Sequence, residues 1–304
     1  DDTIGYVRII QFTPYTDDRV KEALQEFKQK NYSKLIIDVR QNPGGLLTSV
    51  TDTVDLIQSE GTIVSTRSRI AQENEVFTAD PERDVADDVP IVVLIDQGSA
   101  SASEILAGAI KDTGRGVLIG ETSFGKGSVQ KIIPFGRSGF KLTISRYYTP
   151  SGVNIDKVGI DPDIEVKEPE LTEEDNEDLK EIFEQRLISK FVDENPDASE
   201  QQKDAFVDRL KKEHDINLED RVIRKLVRNE FHRRMDFPPV YDLKYDKPLQ
   251  KAVDMLQNGT ISDMIEEAEK NAPANGGTAA NGAINFDLFD FPATGNGNKE
   301  KAKP

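Results

Sequence analysis

Residues 91–112 have the sequence IVVLIDQGSASASEILAGAIKD, and this stretch decides the fold. It opens with consecutive apolar residues, which is typical of a strand buried on both faces. A loop of small residues follows, and residues 101–111 are rich in alanine, which favours a helix. Strand, tight turn and helix are the repeating unit of an α/β sheet, so we predict that class.

The same unit recurs on both sides of this stretch. Residues 4–11 are rich in β-branched side chains and predict a strand, and a helix capped by Thr16 follows. Short apolar runs at residues 34–39 and 116–119 predict two more buried strands. The predicted fold is therefore a mostly parallel sheet covered by helices.

Composition divides the chain into three predicted parts. Residues 1–167 contain the strand and helix pattern and form the predicted core. Residues 168–270 are strongly charged with helical periodicity, so we expect a helical C-terminal region. Residues 271–304 are mostly Ala, Asn, Gly and Lys, which predicts a largely disordered tail.

The overall charge and the absence of cysteine exclude several functions. The 304 residues include 39 Lys and Arg, 56 Asp and Glu and no Cys, giving a net charge of −17. A disulfide scaffold, a thiolate metal site and a cysteine nucleophile are thereby ruled out. The acidic balance disfavours nucleic acid and anionic lipid as partners. The longest apolar run, residues 89–95, is too short to span a membrane, and any targeting segment is expected outside this sequence.

Two glycine-rich loops follow predicted strands. Residues 98–104, GSASASE, place a serine at the start of a helix, where free N–H groups can hold an oxyanion; a plain helix cap is the alternative. Residues 120–127, GETSFGKG, approach the phosphate-binding pattern GxxxxGK[ST]. That pattern fails because a glycine replaces the final hydroxyl and because residues 128–135 predict a strand, so nucleotide binding is disfavoured.

The lysine of the second loop is a candidate base. On a strand Lys126, Ser128 and Gln130 would share a face. A lysine acts as a general base only if its pKa falls from about 10.4 towards 7 or 8, which costs about 4 kcal/mol. Burial can supply this shift, and Gln130 could orient the neutral amine without adding a charge.

Histidine offers a weaker alternative base. His214 and His232 both lie in the charged helical region, far along the chain from the serine loop. A Ser-Lys pair is therefore the better candidate than Ser-His-Asp. A third loop, residues 40–45, contains a Pro-Gly-Gly turn at the end of a buried strand, where open sheets place ligands; as a bare motif it is an ordinary turn.

Taken together, these loops resemble one protein family. The sequence over residues 4–167 resembles the carboxyl-terminal processing proteases, also called tail-specific proteases. The stretches that carry the resemblance are RQNPGG (40–45), DQGSASASEILAGAIKD (96–112), GETSFGKGSVQ (120–130) and YYTPSGVNIDKVGIDPDIEV (147–166).

The resemblance implies a crotonase/Clp-protease-like core and a set of catalytic roles. By position, Ser101 would be the nucleophile, Lys126 the general base and Gln130 the support of that base. The oxyanion hole would use the backbone N–H of Ala102 and that of a glycine in the NPGG turn. The matching glycines are Gly44 and Gly45, and the sequence does not choose between them.

The family resemblance also implies an activity, a substrate class and a location. It implies a serine endopeptidase that cuts polypeptides near accessible, apolar C termini, needs no metal or cofactor and acts outside the cytoplasm. A peptide-binding PDZ domain usually precedes the core, so this sequence is either a fragment or lacks that module. Residues 246–257, which usually close the protein, follow a charged helical insertion of unknown purpose. The rival hypothesis is a catalytically silent scaffold with the same fold.

Two features of the helical region suggest partners. An apolar stripe between Ile182 and Phe191 should be buried against the core or a second subunit, so we expect a homo-oligomer. Arginines and lysines of residues 221–234 could contact nucleic acid, but a packed amphipathic helix with a solvated basic face is the simpler interpretation.

Overall fold

The computed structural model describes residues 3–83, 85, 86, 88–167 and 171–271. Its strands are β1 (Ile4–Arg8), β2 (Lys34–Asp38), β3 (Thr62–Ser68), β4 (Glu75–Thr78), β5 (Ile91–Ile95), β6 (Gly116–Gly120), β7 (Ser128–Phe135), β8 (Ser138–Tyr148) and β9 (Ile164–Glu165). Its helices are α1 (Thr16–Gln29), α2 (Leu47–Val54), α3 (Ala102–Asp112), α4 (Glu173–Glu184), α5 (Leu187–Glu194), α6 (Glu200–His214), α7 (Asp220–His232), α8 (Lys247–Gln257) and α9 (Thr260–Asn271). The predicted α/β class is confirmed.

A five-stranded parallel sheet forms the centre of the fold. Its strand order is β1-β2-β5-β6-β9, and β5 is buried along its whole length. Because side chains alternate across a strand, Val93 packs into the core shared with α1, α2 and α3, whereas Val92 and Leu94 face α8 and α9. Burial on both faces explains why these strands are continuous apolar runs.

A second sheet, which the sequence did not predict, is antiparallel. Its order is β4-β3-β8-β7, with β7 at the outer edge. β7 and β8 form a hairpin whose register shifts between Val129 and Gln130. Helix α1 begins at Thr16 and takes Tyr15 as its cap residue, one position earlier than the predicted cap.

The C-terminal helices pack in two different places. Helices α4 to α7 enclose an apolar cluster of their own, and α8 and α9 cover one face of the parallel sheet. The predicted stripe is mostly inside that cluster, since Ile182, Ile188 and Phe191 are buried while Phe183 is exposed. The stripe therefore provides little free surface for a second subunit.

The basic helix α7 is packed against its surroundings. Its apolar residues Ile223, Val227 and Phe231 are buried. Arg224 pairs with Asp204, and Arg228 pairs with Asp242. Much of its positive charge is thus neutralised within the chain, as expected for a packed amphipathic helix.

The predicted tail falls on residues 272–304, outside the described residues, while Asn271 ends α9. Within the described part of the chain, no helix combines the length and the apolar character needed to cross a bilayer.

Candidate active site

Two loops meet at the carboxyl ends of the adjacent strands β2 and β5. The link between them is Asn42, which is fully buried. Its carbonyl oxygen accepts the N–H of Ala100 and the hydroxyl of Ser103, both at 3.0 Å. Its side-chain amide donates to the carbonyl of Ile9 at 2.8 Å. The NPGG turn is therefore fixed against the serine loop, at the sheet edge where ligands bind in such folds.

Ser101 has an unusual backbone conformation. It precedes α3 with φ 57° and ψ −110°, a region that non-glycine residues rarely adopt and that is common at functional sites. The neighbouring serines have structural roles, since Ser99 Oγ donates to the carbonyl of Val39 and Ser103 Oγ to that of Asn42. Both are fully buried, whereas Ser101 is half-buried. Ser101 is thus the serine of this loop that is accessible to a substrate.

Gly44 lies directly against the start of α3. A Cβ atom added to Gly44 would lie 2.8 Å from Ser101 Cβ and 3.0 Å from Ala102 N, and its φ is 102°. Its N–H donates to the side chain of Asn42 at 2.9 Å, and its carbonyl accepts the N–H of Phe12 at 3.0 Å. Both polar groups of Gly44 are therefore already used.

Two backbone donors beside Ser101 are not used. Ala102 is the first residue of α3, where an N–H has no partner within the helix. Gly45 is exposed, and its N–H, like that of Ala102, finds no acceptor in the part of the chain that the structure describes. A Cβ at Gly45 would lie only 1.9 Å from the carbonyl oxygen of Phe12, so only glycine fits there. These donors can serve a developing oxyanion.

The buried carboxylate of Glu104 joins the serine loop to the lysine loop. Its Oε2 accepts the backbone N–H groups of Ser101 and Lys126, and its Oε1 accepts the N–H of Gly125 at 2.7 Å and the hydroxyl of Ser123 at 2.6 Å. Four donors converge on one side chain that is fully buried. This role was missed in the sequence, although a Glu three residues after a Ser at a helix start is the signal of a capping box.

The environment of Lys126 differs from the prediction. Its loop is held by Glu104 and by a bond from Lys157 N to the carbonyl of Gly125 at 2.7 Å. The side chain of Lys126 is exposed, however, and the described residues contain no hydrogen bond between it and Ser101. The predicted burial is therefore wrong for this structure, because the contacts of the loop fix its backbone and leave the ammonium group uncovered.

Gln130 lies on β7, the strand that follows the lysine loop. It is exposed and pairs with Thr143, whereas Ser128 pairs with Arg146. The register shift between Val129 and Gln130 places its extra residue, Ile144, on β8 and not on β7. Alternation along β7 is therefore uninterrupted, and the shared face of Lys126, Ser128 and Gln130 stays a prediction, with Lys126 in the loop before the strand. No hydrogen bond between described residues links Gln130 to Lys126.

The two histidines lie in the helical region. His214 Nδ1 lies 3.2 Å from a carboxylate oxygen of Glu181. His232 ends α7, and burial together with the charge of Arg228 lowers its pKa. Among the described residues, neither imidazole is hydrogen-bonded to the serine loop, so the structure offers no Ser-His pair.

An ion-pair network anchors the NPGG turn to the C-terminal helices. Arg40 bonds Asp38 and Asp246, each with an N–O distance of 2.6 Å, and Asp246 also caps α8 by accepting the N–H of Leu249. Burial alone would raise the pKa of Asp38, but hydrogen bonds and charge from Arg40 hold that pKa below its usual range. Asp246, the first residue of the predicted closing segment 246–257, is thus linked through Arg40 to the loop that contains the NPGG turn.

A serine on a strained turn between a strand and a helix, next to unused N–H groups, is the arrangement of the nucleophile in many serine hydrolases. This chain belongs to Peptidase family S41, whose family model matches residues 3–166.

Comparison with known proteins gives the same family. The chain is 47% identical over 172 residues to a carboxy-terminal-processing protease of Bartonella bacilliformis and 42% identical over 168 residues to a carboxyl-terminal-processing protease of Synechocystis sp.. Each match covers 55% of this chain and 39% of the relative, so the chain spans well under half the length of these relatives.

A solved structure extends the similarity to three dimensions. The photosystem II D1 C-terminal processing protease matches with a TM-score of 0.51 and 35% identity, over 56% of this chain and 44% of that protein.

Proposed function

We propose that this chain is the catalytic part of a serine endopeptidase that cleaves polypeptides near their C termini. The observation that carries the proposal is the position of Ser101, strained and accessible beside the unused N–H groups of Ala102 and Gly45. Membership of Peptidase family S41 and the names of the relatives agree with this activity. No cofactor or metal is part of the proposed mechanism.

The proposed reaction has two half-reactions. Lys126, in its neutral form, takes the proton of Ser101 Oγ as that oxygen attacks the substrate carbonyl. The tetrahedral oxyanion is stabilised by backbone N–H groups. Lys126 then gives its proton to the leaving amine, which departs and leaves an acyl-enzyme. Water attacks this ester in the same way, Lys126 again moving the proton, and the new carboxylate leaves while Ser101 is regenerated.

We assign the oxyanion donors to Ala102 and Gly45. Gly44 is the less suitable glycine because its N–H is already bonded to Asn42. Its proposed role is steric, since only a residue without a side chain can lie this close to Ser101. We therefore propose Gly45, of the two glycines that the sequence left open, as the second donor.

The exposure of Lys126 implies that the base is completed by the substrate. An ammonium group in water stays protonated at neutral pH, and covering it favours the neutral amine. We propose that a polypeptide bound across Ser101 covers Lys126 and removes water from it. Gln130, which lies on the strand after the lysine loop, would then support the neutral amine.

Glu104 has a positioning role in this proposal. It fixes the backbone of the nucleophile and of the base through one buried carboxylate. Its two oxygens accept four hydrogen bonds between them.

The remaining elements of the proposal are the substrate, the assembly and the location. We propose polypeptide substrates with accessible apolar C termini, held extended, and an extracytoplasmic location in the periplasm or cell envelope. We also propose a homo-oligomer, although the stripe that first suggested it is mostly buried within the chain. Sedimentation across a wide range of concentration tests the assembly, and a constant monomer mass would contradict it.

One experiment separates the protease from the silent scaffold. An unstructured protein with an apolar C terminus is incubated with the wild-type chain and with Ser101→Ala. Degradation by the wild type alone supports the protease, and binding without cleavage by both supports the scaffold.

A further inference from the structure

The β7–β8 hairpin presents an apolar face that nothing in the described chain covers. Phe135 is 77% exposed and Phe140 is 50% exposed. Cross-strand pairing places Ile133 opposite Phe140 and Lys131 opposite Leu142, so Ile133, Phe135, Phe140 and Leu142 lie on one face of the hairpin, whereas Ile132 and Lys141 lie on the other. An exposed cluster of aromatic and aliphatic residues on a projecting hairpin is typical of an interaction surface.

The charge of this hairpin is opposite to that of the chain. Residues 128–148 contain four basic residues and no acidic residue, in a protein with a net charge of −17. Arg137 lies in the turn and Lys141 on β8, and neither forms an ion pair with a described residue. The hairpin is thus a local positive patch, which attracts negatively charged partners.

The position of the hairpin connects it to the candidate active site. β7 begins at Ser128, two residues after Lys126, and it is the outer strand of its sheet. A proline in a sheet is tolerated where its missing N–H would face solvent, so Pro134 limits pairing along the far half of the free edge. The half next to Lys126 can still pair with an extended chain.

We propose that the β7–β8 hairpin is a docking arm for the polypeptide substrate. It binds segments in which apolar residues alternate with Asp or Glu, and it delivers the adjoining segment to Ser101 and Lys126. The apolar side chains of the substrate pack on Phe135 and Phe140, and its carboxylates lie near Arg137 and Lys141. This proposal rests on the proposed function, because it assigns the hairpin to a substrate of that reaction.

The test measures binding, so it does not depend on cleavage. Two long, unstructured, fluorescent peptides are used, which share an apolar C terminus and differ only in that every Asp of one is Lys in the other. With the Ser101→Ala chain, the Asp peptide should bind about tenfold more tightly than the Lys peptide, and this preference should weaken as salt is added.

Two hairpin variants separate the charge from the apolar face. Arg137→Glu combined with Lys141→Glu should remove the preference for the Asp peptide. Phe135→Ser combined with Phe140→Ser should instead weaken the binding of both peptides about equally. The matched control is Lys21→Glu combined with Lys251→Glu, which changes the net charge by the same amount on helices α1 and α8 and should leave the preference intact.

Several outcomes would overturn the proposal. Equal binding of both peptides would show that charge does not contribute to the binding. Loss of the preference in the Lys21 and Lys251 control would show that the preference comes from the net charge of the protein and not from the hairpin. If the hairpin variants changed the mass of the assembly in solution without changing peptide binding, the hairpin would be a contact with a second copy of the chain.

One further outcome separates this proposal from the proposed protease. If the peptides bind as predicted but the wild-type chain cleaves nothing, the docking arm stands and the proposed protease is contradicted.

Discussion

The backbone N–H groups of Ser101 and Lys126 donate to the same oxygen, Oε2 of Glu104, each at 2.8 Å. The proposed nucleophile and the proposed base therefore share one buried acceptor even though their side chains are not hydrogen-bonded to each other. The relative position of the two loops is set before any substrate binds. This is the preorganisation on which electrostatic catalysis depends.

Glu104→Gln should lower kcat strongly and KM little. The amide keeps the size of the side chain but replaces an acceptor by an NH₂ group, which would face an N–H donor. We expect kcat to fall by roughly 100-fold or more and the stability to fall by about 1 to 3 kcal/mol, the cost of an unsatisfied buried donor. Steady-state kinetics and thermal unfolding measure the two effects.

The matched control for Glu104 is Glu121→Gln. Glu121 belongs to the lysine loop but makes a surface bond with Gln97, so kcat should change little. Equal losses of kcat in both variants, or a loss at Glu104 that appears only in KM, would contradict the positioning role.

Ser101 should be the residue at which activity and stability separate. Ser101→Ala should abolish cleavage with little change in stability. Ser101→Gly should also abolish cleavage but raise the free energy of unfolding by about 1 kcal/mol, because glycine adopts the positive φ without strain. Activity assays and chemical denaturation measure these changes.

The flanking serines provide the internal controls. Ser99→Ala and Ser103→Ala each remove a buried hydrogen bond and should cost about 1 to 3 kcal/mol while leaving the nucleophile in place. Cleavage that survives in Ser101→Ala and disappears in Ser103→Ala would mean that Ser103 is the nucleophile.

The sequence predicted the parallel sheet well because burial on both faces leaves a clear signal. Strand β5 is a continuous apolar run, and the structure buries all of it. Strand β8 has no such apolar run, because its first half is exposed and residues 140–145 alternate between apolar and polar. It pairs with β7 in a hairpin and with β3, which lies far away in the sequence.

Some features of the candidate site could be predicted from the sequence, and others could not. The placement of Ser101 follows from the local pattern of strand, turn and helix. The choice between Gly44 and Gly45 needed the bond from Gly44 to Asn42, which depends on tertiary structure. The exposure of Lys126 could not be predicted, because the burial of a loop side chain depends on what covers it.

Asp38 should contribute to stability in a way that depends on pH. Its pKa is lower in the folded protein than in the unfolded chain, so its contribution is present above the unfolded pKa, about 4, and is lost as the pH falls through the folded pKa. Asp38→Asn should lower the free energy of unfolding by about 3 to 5 kcal/mol near neutral pH, because it breaks a buried ion pair. The variant should also lose stability less steeply than the wild type as the pH falls.

Denaturant titrations at several pH values test this prediction. Asp254→Asn is the control, since Asp254 is an exposed carboxylate on α8, and we expect a change within about 0.5 kcal/mol. An acid dependence as steep in Asp38→Asn as in the wild type would show that other carboxylates control acid unfolding.

Lys126 provides the test that separates a lysine base from any histidine base. Lys126→Ala should eliminate turnover, while the double variant of His214→Ala and His232→Ala should keep it within a few fold, since both imidazoles lie in the helical region. Lys126→Arg decides the question, since arginine keeps the positive charge but does not lose its proton in a protein. Substantial cleavage by Lys126→Arg would mean that Lys126 only orients the substrate through its charge, and the group that accepts the proton of Ser101 would then have to be another one.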